Sequence, residues 1–221
     1  MNEDHFQQKS RVFIQYLKHH TADFPPTLCD VMISEFGVNP FILLSACLIS
    51  LRARDRVTTP LCLAFFKKIQ TPEQLLAFPI QDLEKTFFSV GFYKKKAQVL
   101  REVASFLIEH HSGLVPNNLA DLRAIPGVGL KTANLVLGLA FGLPAICVDV
   151  HVHKICNQLG WVATDNPDQT EHALCQILPQ DLWIEWNRQL VLVGQNGCLS
   201  SKGCGKECKV LEFGILKERP V

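Results

Sequence analysis

The chain has 221 residues, of which 48% are hydrophobic and 19% charged, enough apolar material for one large or two small packed domains and too much for a disordered polypeptide. Its 22 Lys and Arg stand against 21 Asp and Glu, so the net charge of +1 excludes recognition of an acidic partner by bulk charge, and any nucleic-acid contact has to come from local patches. Met1-Asn2-Glu3-Asp4-His5 is neither basic nor followed by an apolar stretch, and the longest uncharged run, Thr132 to Val148, is interrupted by Gly138, Gly142 and Pro144. An intracellular protein without a membrane span is expected, in the cytoplasm or at the nucleoid. Nine cysteines, scattered until the C-terminal end, suit buried thiols and metal ligands better than a disulfide framework.

Helical periodicity recurs along the chain, punctuated by Pro, Gly and Asn, with no alternating strand pattern and no internal repeat, which predicts an all-α protein. Phe41 to Leu51 is an apolar run too long for an ordinary strand, and it reads as a buried helix that delivers Arg52, Arg54 and Arg56 at its end. Thr71 and Pro72 before Glu73 read as an N-cap with proline in the first turn, opening a short helix that stops near Pro79. Helices over about 81–88 and 93–111 follow. Between them, Gly91-Phe92-Tyr93-Lys94-Lys95-Lys96 joins a turn glycine to aromatic and basic residues, either a solvated helix start or a phosphate contact.

From Asn118 to Phe141 come a short helix, the turn Pro126-Gly127-Val128-Gly129 and a second, apolar helix, the pattern of a helix-hairpin-helix. Two glycines around a small residue open backbone angles closed to other residues, so that successive N–H groups converge on one oxygen, and the following helix adds its positive N-terminal end. Gly127, Val128, Gly129 and Thr132 are therefore candidate DNA contacts, made largely through main chain and so without reading sequence. The plainer alternative is a tight turn between two helices. Ile125-Pro-Gly-Val-Gly-Leu-Lys-Thr-Ala133 followed by Pro144-Ala-Ile-Cys-Val-Asp-Val-His151 closely resembles the helix-hairpin-helix and Gly/Pro-Asp signature of the endonuclease III family. Val90-Gly-Phe-Tyr-Lys-Lys-Lys-Ala97 and Gly113-Leu-Val-Pro116 extend the resemblance in the same order and spacing, from near Pro40 to the C-terminal cysteines.

The resemblance implies a two-lobed helix-hairpin-helix DNA glycosylase fold: a helical barrel lobe over residues 28–143 and a second lobe built from residues 1–27 and 144–221. Lys131, which alone would read as a surface residue, is by resemblance the attacking amine. Its attack on the sugar C1′ would capture an oxocarbenium-like state as a Schiff base, which then permits elimination of the 3′ phosphate. Asp149, which alone reads as an N-cap, is by resemblance the catalytic carboxylate that stabilises the cationic sugar and assists proton transfer. Arg52 falls where the family places the wedge that fills the duplex after a base is extruded; it would plug the stack or bind a phosphate, against the plain reading of a solvated arginine at a helix end.

The function implied is that of a bifunctional DNA glycosylase/AP lyase of base excision repair, acting as a monomer on double-stranded DNA that carries a damaged base, an oxidised pyrimidine first, or an abasic site. Lys131, together with the lack of an additional C-terminal domain, argues against the adenine-mismatch branch. The rivals are a noncatalytic hairpin DNA-binding module and a redox-sensing iron protein.

Members of that family end in C-x6-C-x2-C-x5-C, which ligates a [4Fe-4S] cluster. Here Cys198, Cys204 and Cys208 are spaced C-x5-C-x3-C, and the fourth position falls on Gly214. A cluster would take its fourth ligand from a noncysteine residue such as Glu207, from a distant cysteine such as Cys156, or from solvent. Zinc on three cysteines and one further ligand, or free thiols, are the alternatives. His151, His153 and Cys156 lack a complete zinc ligand set and read more simply as packed or phosphate-facing residues.

Overall fold

The computed structural model describes residues 3–199 and 209–214, and every regular element among them is helical, as expected. In chain order the α-helices are α1 Glu3–His20, α2 Leu28–Phe36, α3 Pro40–Ser50, α4 Asp55–Phe66, α5 Pro72–Ala77, α6 Ile80–Phe87, α7 Tyr93–His111, α8 Leu119–Ala124, α9 Leu130–Phe141, α10 Val150–Gln158, α11 Pro167–Ile177 and α12 Trp183–Gln195, with 3-10 turns at Gln180–Leu182 and Val210–Phe213. The chain divides into two compact units, one of Thr27–Leu143 and one of the described residues of Met1–Pro26 and Pro144–Val221. No helix among the described residues is long and apolar enough to cross a membrane.

The Thr27–Leu143 unit is organised around α3. Every residue from Phe41 to Ile49 is buried, and a helix that is apolar on all sides has to be enclosed, which α2, α4, α7 and α9 do. Its start is set by Asn39, whose Oδ1 accepts from the backbone N–H of Phe41 (3.0 Å) and Ile42 (3.1 Å), and by Pro40, which needs no donor in the first turn. Thr71 and Pro72 open α5 in the same way, and α7 covers the range its periodicity predicts. The buried stripe of α7 runs Lys96, Ala97, Leu100, Val103, Ala104, Leu107, and α5 and α6 pack on this helix.

In the other unit, α12 is the central element, with α1 and α10 against it and α11 against both of these. Three rings anchor the core: Phe13 stacks on Trp161 (5.7 Å between centroids), and Trp186 meets Phe13 and Trp161 edge-on at 5.5 and 5.0 Å. Such offset and edge-to-face pairs add about 0.5–1.5 kcal/mol each beyond the area they bury.

Candidate functional site

The hairpin is built from both of its helices inward. Asn118 caps α8, accepting from Asp121 N at 2.9 Å, and α8 ends at Ala124; Val128 N donates to Ile125 O at 3.1 Å and closes the turn. Gly127 takes φ +78°, the left-handed conformation that the motif anticipates. Gly129 does not: at φ −88° and ψ 174° it is in ordinary extended geometry, so only one of the two glycines needs a backbone angle closed to other residues. Val128 turns its side chain into the core at 7% exposure, which leaves main chain as the exposed part of the loop beside Gly127 and Gly129. No side chain caps α9, and the positive end of this helix suits an oxygen from outside.

Lys131, the second residue of α9, is exposed, whereas Thr132 beside it is buried at 4%. Packing of α9 on α3 brings the charge of Lys131 within electrostatic reach of Cys47. The Cys47 thiol lies 3.9 Å from Cys29 Sγ; contact with Cys29 holds it low, burial opposes this, and the charge of Lys131 lowers it further.

Asp149 is half-buried and caps α10. Its Oδ1 accepts from the backbone N–H of His151 and of Val152, both at 2.9 Å, while Oδ2 makes no hydrogen bond among the described residues. One oxygen holds the carboxylate to the start of α10 and the other has no partner among the described residues. Lys131 belongs to the Thr27–Leu143 unit and Asp149 to the other.

Beyond the end of α3 the chain turns through Arg52 at φ +57°, one of three non-glycine residues in the left-handed region among the described residues. Arg52, Arg54 and Arg56, at and beyond the end of α3, are all exposed. Arg52 and Gly127 share a pocket of about 400 Å3 with Leu48, Phe92, Lys95 and Lys96. The two basic motifs, read separately in the sequence, thus border one cavity. The Lys94–Lys96 run divides: Lys94 and Lys95 are solvated, but Lys96 is 8% exposed and donates to Ile49 O (2.5 Å) and Leu51 O (2.7 Å). Neither a solvated helix start nor a phosphate contact describes Lys96. Its signal was its place on the apolar stripe of α7, four residues before Leu100 and eleven before Leu107.

Of the C-terminal cysteines, Cys204 and Cys208 lie outside the described residues, as does Glu207. Cys198 is buried, with Sγ 3.6 Å from His20 Nε2. At the position where the family pattern would put a fourth cysteine, Gly214 receives a hydrogen bond from Lys9 Nζ on its carbonyl (2.9 Å), and a Cβ there would press on Leu211 O at 3.3 Å and Leu159 O at 3.4 Å. Cys156 is no substitute: fully buried, it accepts from Trp186 Nε1 at 3.4 Å, and burial pushes its thiol up to about 12. Neither Gly214 nor Cys156 supplies a fourth thiolate, and no group of three or more His, Cys, Asp or Glu suited to a metal occurs among the described residues, which do not include Cys204, Glu207 or Cys208. The zinc alternative at 151–156 fails for a related reason. His153 Nδ1 engages Thr170 Oγ1 at 2.7 Å, His151 packs against Gly194, and Cys156 points to Trp186.

Comparison with known proteins gives one consistent relationship. Residues 45–180 match the family model of the HhH-GPD superfamily base excision DNA repair proteins. The chain is 39% identical over 170 residues to endonuclease III of Thermotoga maritima, covering 77% of this chain and 80% of that one. It is similar to endonuclease III in the solved structure of a non-covalent DNA complex, with a TM-score of 0.81, 29% identity, and coverage of 97% of this chain and 95% of that chain. The endonuclease III of a trapped covalent DNA intermediate is similar at a TM-score of 0.79 and 28% identity, over 96% and 95%.

Proposed function

Because the chain belongs to the HhH-GPD superfamily of base excision DNA repair proteins, we propose that its chemistry is carried by Lys131 as nucleophile and Asp149 as the catalytic carboxylate, on DNA held by the hairpin loop Gly127–Gly129. The chain is a DNA glycosylase of base excision repair that acts on DNA with a damaged base or abasic site, and its relatives carry the name endonuclease III, which denotes strand cleavage as well. One observation carries the assignment of Lys131: it is an exposed amine on the first turn of the helix whose uncapped N-terminus and preceding glycine loop suit a phosphate.

The neutral amine attacks C1′ of the deoxyribose, and the bond from C1′ to the base breaks. A proton released from nitrogen passes to the departing base, opening of the sugar takes one at O4′, and the imine remains. Loss of a 2′ proton then expels the 3′ phosphate and nicks the strand. Asp149, with Oδ1 held by two backbone N–H groups, presents Oδ2 to stabilise the developing sugar cation and to relay protons. The covalent DNA intermediate trapped for a relative supports a covalent route. Arg52, exposed on its left-handed turn, fills the stack once the base is extruded. The lesion class is an oxidised pyrimidine, as the family resemblance implies.

Borohydride trapping on duplexes carrying thymine glycol or an abasic site tests this directly. Wild type is expected to give a covalent adduct that Lys131→Ala does not. Absence of an adduct with either substrate, with duplex binding retained, would replace the lyase reading with that of a monofunctional glycosylase.

A further inference from the structure

Helix α3 ends in an unusual way. The last carbonyls of a helix lack internal partners, and the common solution is a glycine in the left-handed conformation just beyond the end. Here Leu51 is extended (φ −52°, ψ 122°) and the left-handed position is taken by Arg52, a residue with a Cβ and a long side chain. Such a conformation persists only where its surroundings over-determine it. Ala53 N closes the turn on Ser50 O at 2.9 Å, and the two carbonyls on either side of Ser50, those of Ile49 and Leu51, both receive Lys96 Nζ.

The geometry points to Lys96 as a positioning residue for duplex invasion: its ammonium, donated from the first turn of α7 to Ile49 O and Leu51 O, holds the Leu51–Arg52 turn in the shape that presents Arg52 to the base stack. The inference rests on the reading of Arg52 as the residue that enters the duplex. Three independent features support it. A positive charge at the C-terminal end of α3 is electrostatically favoured there. Lys96 is buried on a face otherwise made of Ala, Leu and Val, a location that costs a charged group its hydration and holds its pKa below the ordinary lysine range, so packing alone would favour an apolar residue. Arg52, Lys96 and Gly127 border the same pocket, so the turn that Lys96 braces lies next to the hairpin loop.

The test compares Lys96→Met, Lys96→Arg, Arg52→Ala and the double variant Lys96→Met/Arg52→Ala. The substrate is a duplex with a tetrahydrofuran abasic analogue and 2-aminopurine opposite it, and an undamaged duplex is the control. Thermal melting first establishes that each variant is folded. Lys96→Met is expected to lower the preference for the tetrahydrofuran duplex by about tenfold and to quench the 2-aminopurine response, with affinity for undamaged DNA unchanged. Lys96→Arg, which keeps the donors, is expected to restore much of both, and serves as the decisive variant if Lys96→Met does not fold. The double variant is expected to be no worse than Arg52→Ala alone. Multiplying effects of the two substitutions, or equal loss on both duplexes, would overturn the assignment of Lys96. If Arg52→Ala loses the preference while Lys96→Met retains it, only the Lys96 inference fails; if Arg52→Ala retains it, the reading of Arg52 fails first and takes the inference with it.

Discussion

Glycine is required at only one of the two hairpin positions. At Gly127, φ is +78° and a Cβ would stand 2.8 Å from Val99 Cγ1, so alanine there meets both backbone strain and a side chain of α7. At Gly129, φ is −88° and a Cβ would have no atom within 4 Å of it, so alanine fits. Gly127→Ala is expected to cost about 1–2 kcal/mol in urea unfolding and to weaken binding of an abasic-analogue duplex, whereas Gly129→Ala should unfold within about 0.5 kcal/mol of wild type. Equal destabilisation by the two would contradict this geometry. The Pro-Gly-x-Gly pattern made the loop legible, but which glycine carries the unusual angle depends on how the turn closes through Val128 N and Ile125 O, and spacing alone does not encode that. Lys96 was obscured for the opposite reason. A charged residue in a run of three lysines looks solvated, although its spacing to Leu100 and Leu107 already put it on the buried stripe.

Helix starts are legible where a cap is chemical: Thr71-Pro72 marked the start of α5 in the sequence, and Asn39-Pro40 and Asn118 place an acceptor before α3 and α8 in the same way. Helix α4 shows the limit: it runs from Asp55 to Phe66 straight through Pro60, a residue that sequence punctuation takes as a break. Its enclosure by α2, α3 and α6 outweighs the lost donor, and that packing is tertiary information. At α10 the cap and the proposed catalytic role fall on one side chain, and two substitutions separate them. Asp149→Asn keeps an acceptor for His151 N and Val152 N, so its urea midpoint is expected to stay near wild type, while Asp149→Ala should cost about 1 kcal/mol. Single-turnover excision should fall strongly in both, because neither retains the negative charge at Oδ2. Near-normal excision by the Asn variant would show that the residue serves the helix and not the chemistry.

Across the whole molecule, an almost neutral net charge says nothing of where the exposed cations lie: Arg52, Lys94, Lys95 and Lys131 are all exposed, and the roles proposed for Arg52 and Lys131 depend on placement and not on sum. Each of the two units has its own core, and each core holds a thiol that burial pushes up to about 12 from an ordinary value near 9: Cys62 in the Thr27–Leu143 unit and Cys156 in the other. Below pH 9 both thiols are protonated whether the chain is folded or unfolded, so neither affects stability. Above pH 9 the unfolded chain releases these protons and the folded chain does not. The unfolded state then binds fewer protons, and stability falls as pH rises from 9 towards 12, by about 1.4 kcal/mol per pH unit for each thiol at its steepest. The three tryptophans, Trp161, Trp183 and Trp186, all lie in the unit that contains Cys156, so fluorescence reports on that unit while circular dichroism reports on helices of both. In urea titrations at pH 8, 9.5 and 10.5 with reductant present, Cys156→Ala is expected to flatten the pH dependence of the fluorescence transition, and Cys62→Ala that of the remaining circular dichroism change. Comparing slopes cancels the constant cost of the cavity that each alanine leaves. A fluorescence slope unchanged in Cys156→Ala would mean that the hydrogen bond from Trp186 Nε1 keeps the thiolate accessible in the folded core, and that burial does not dominate this thiol.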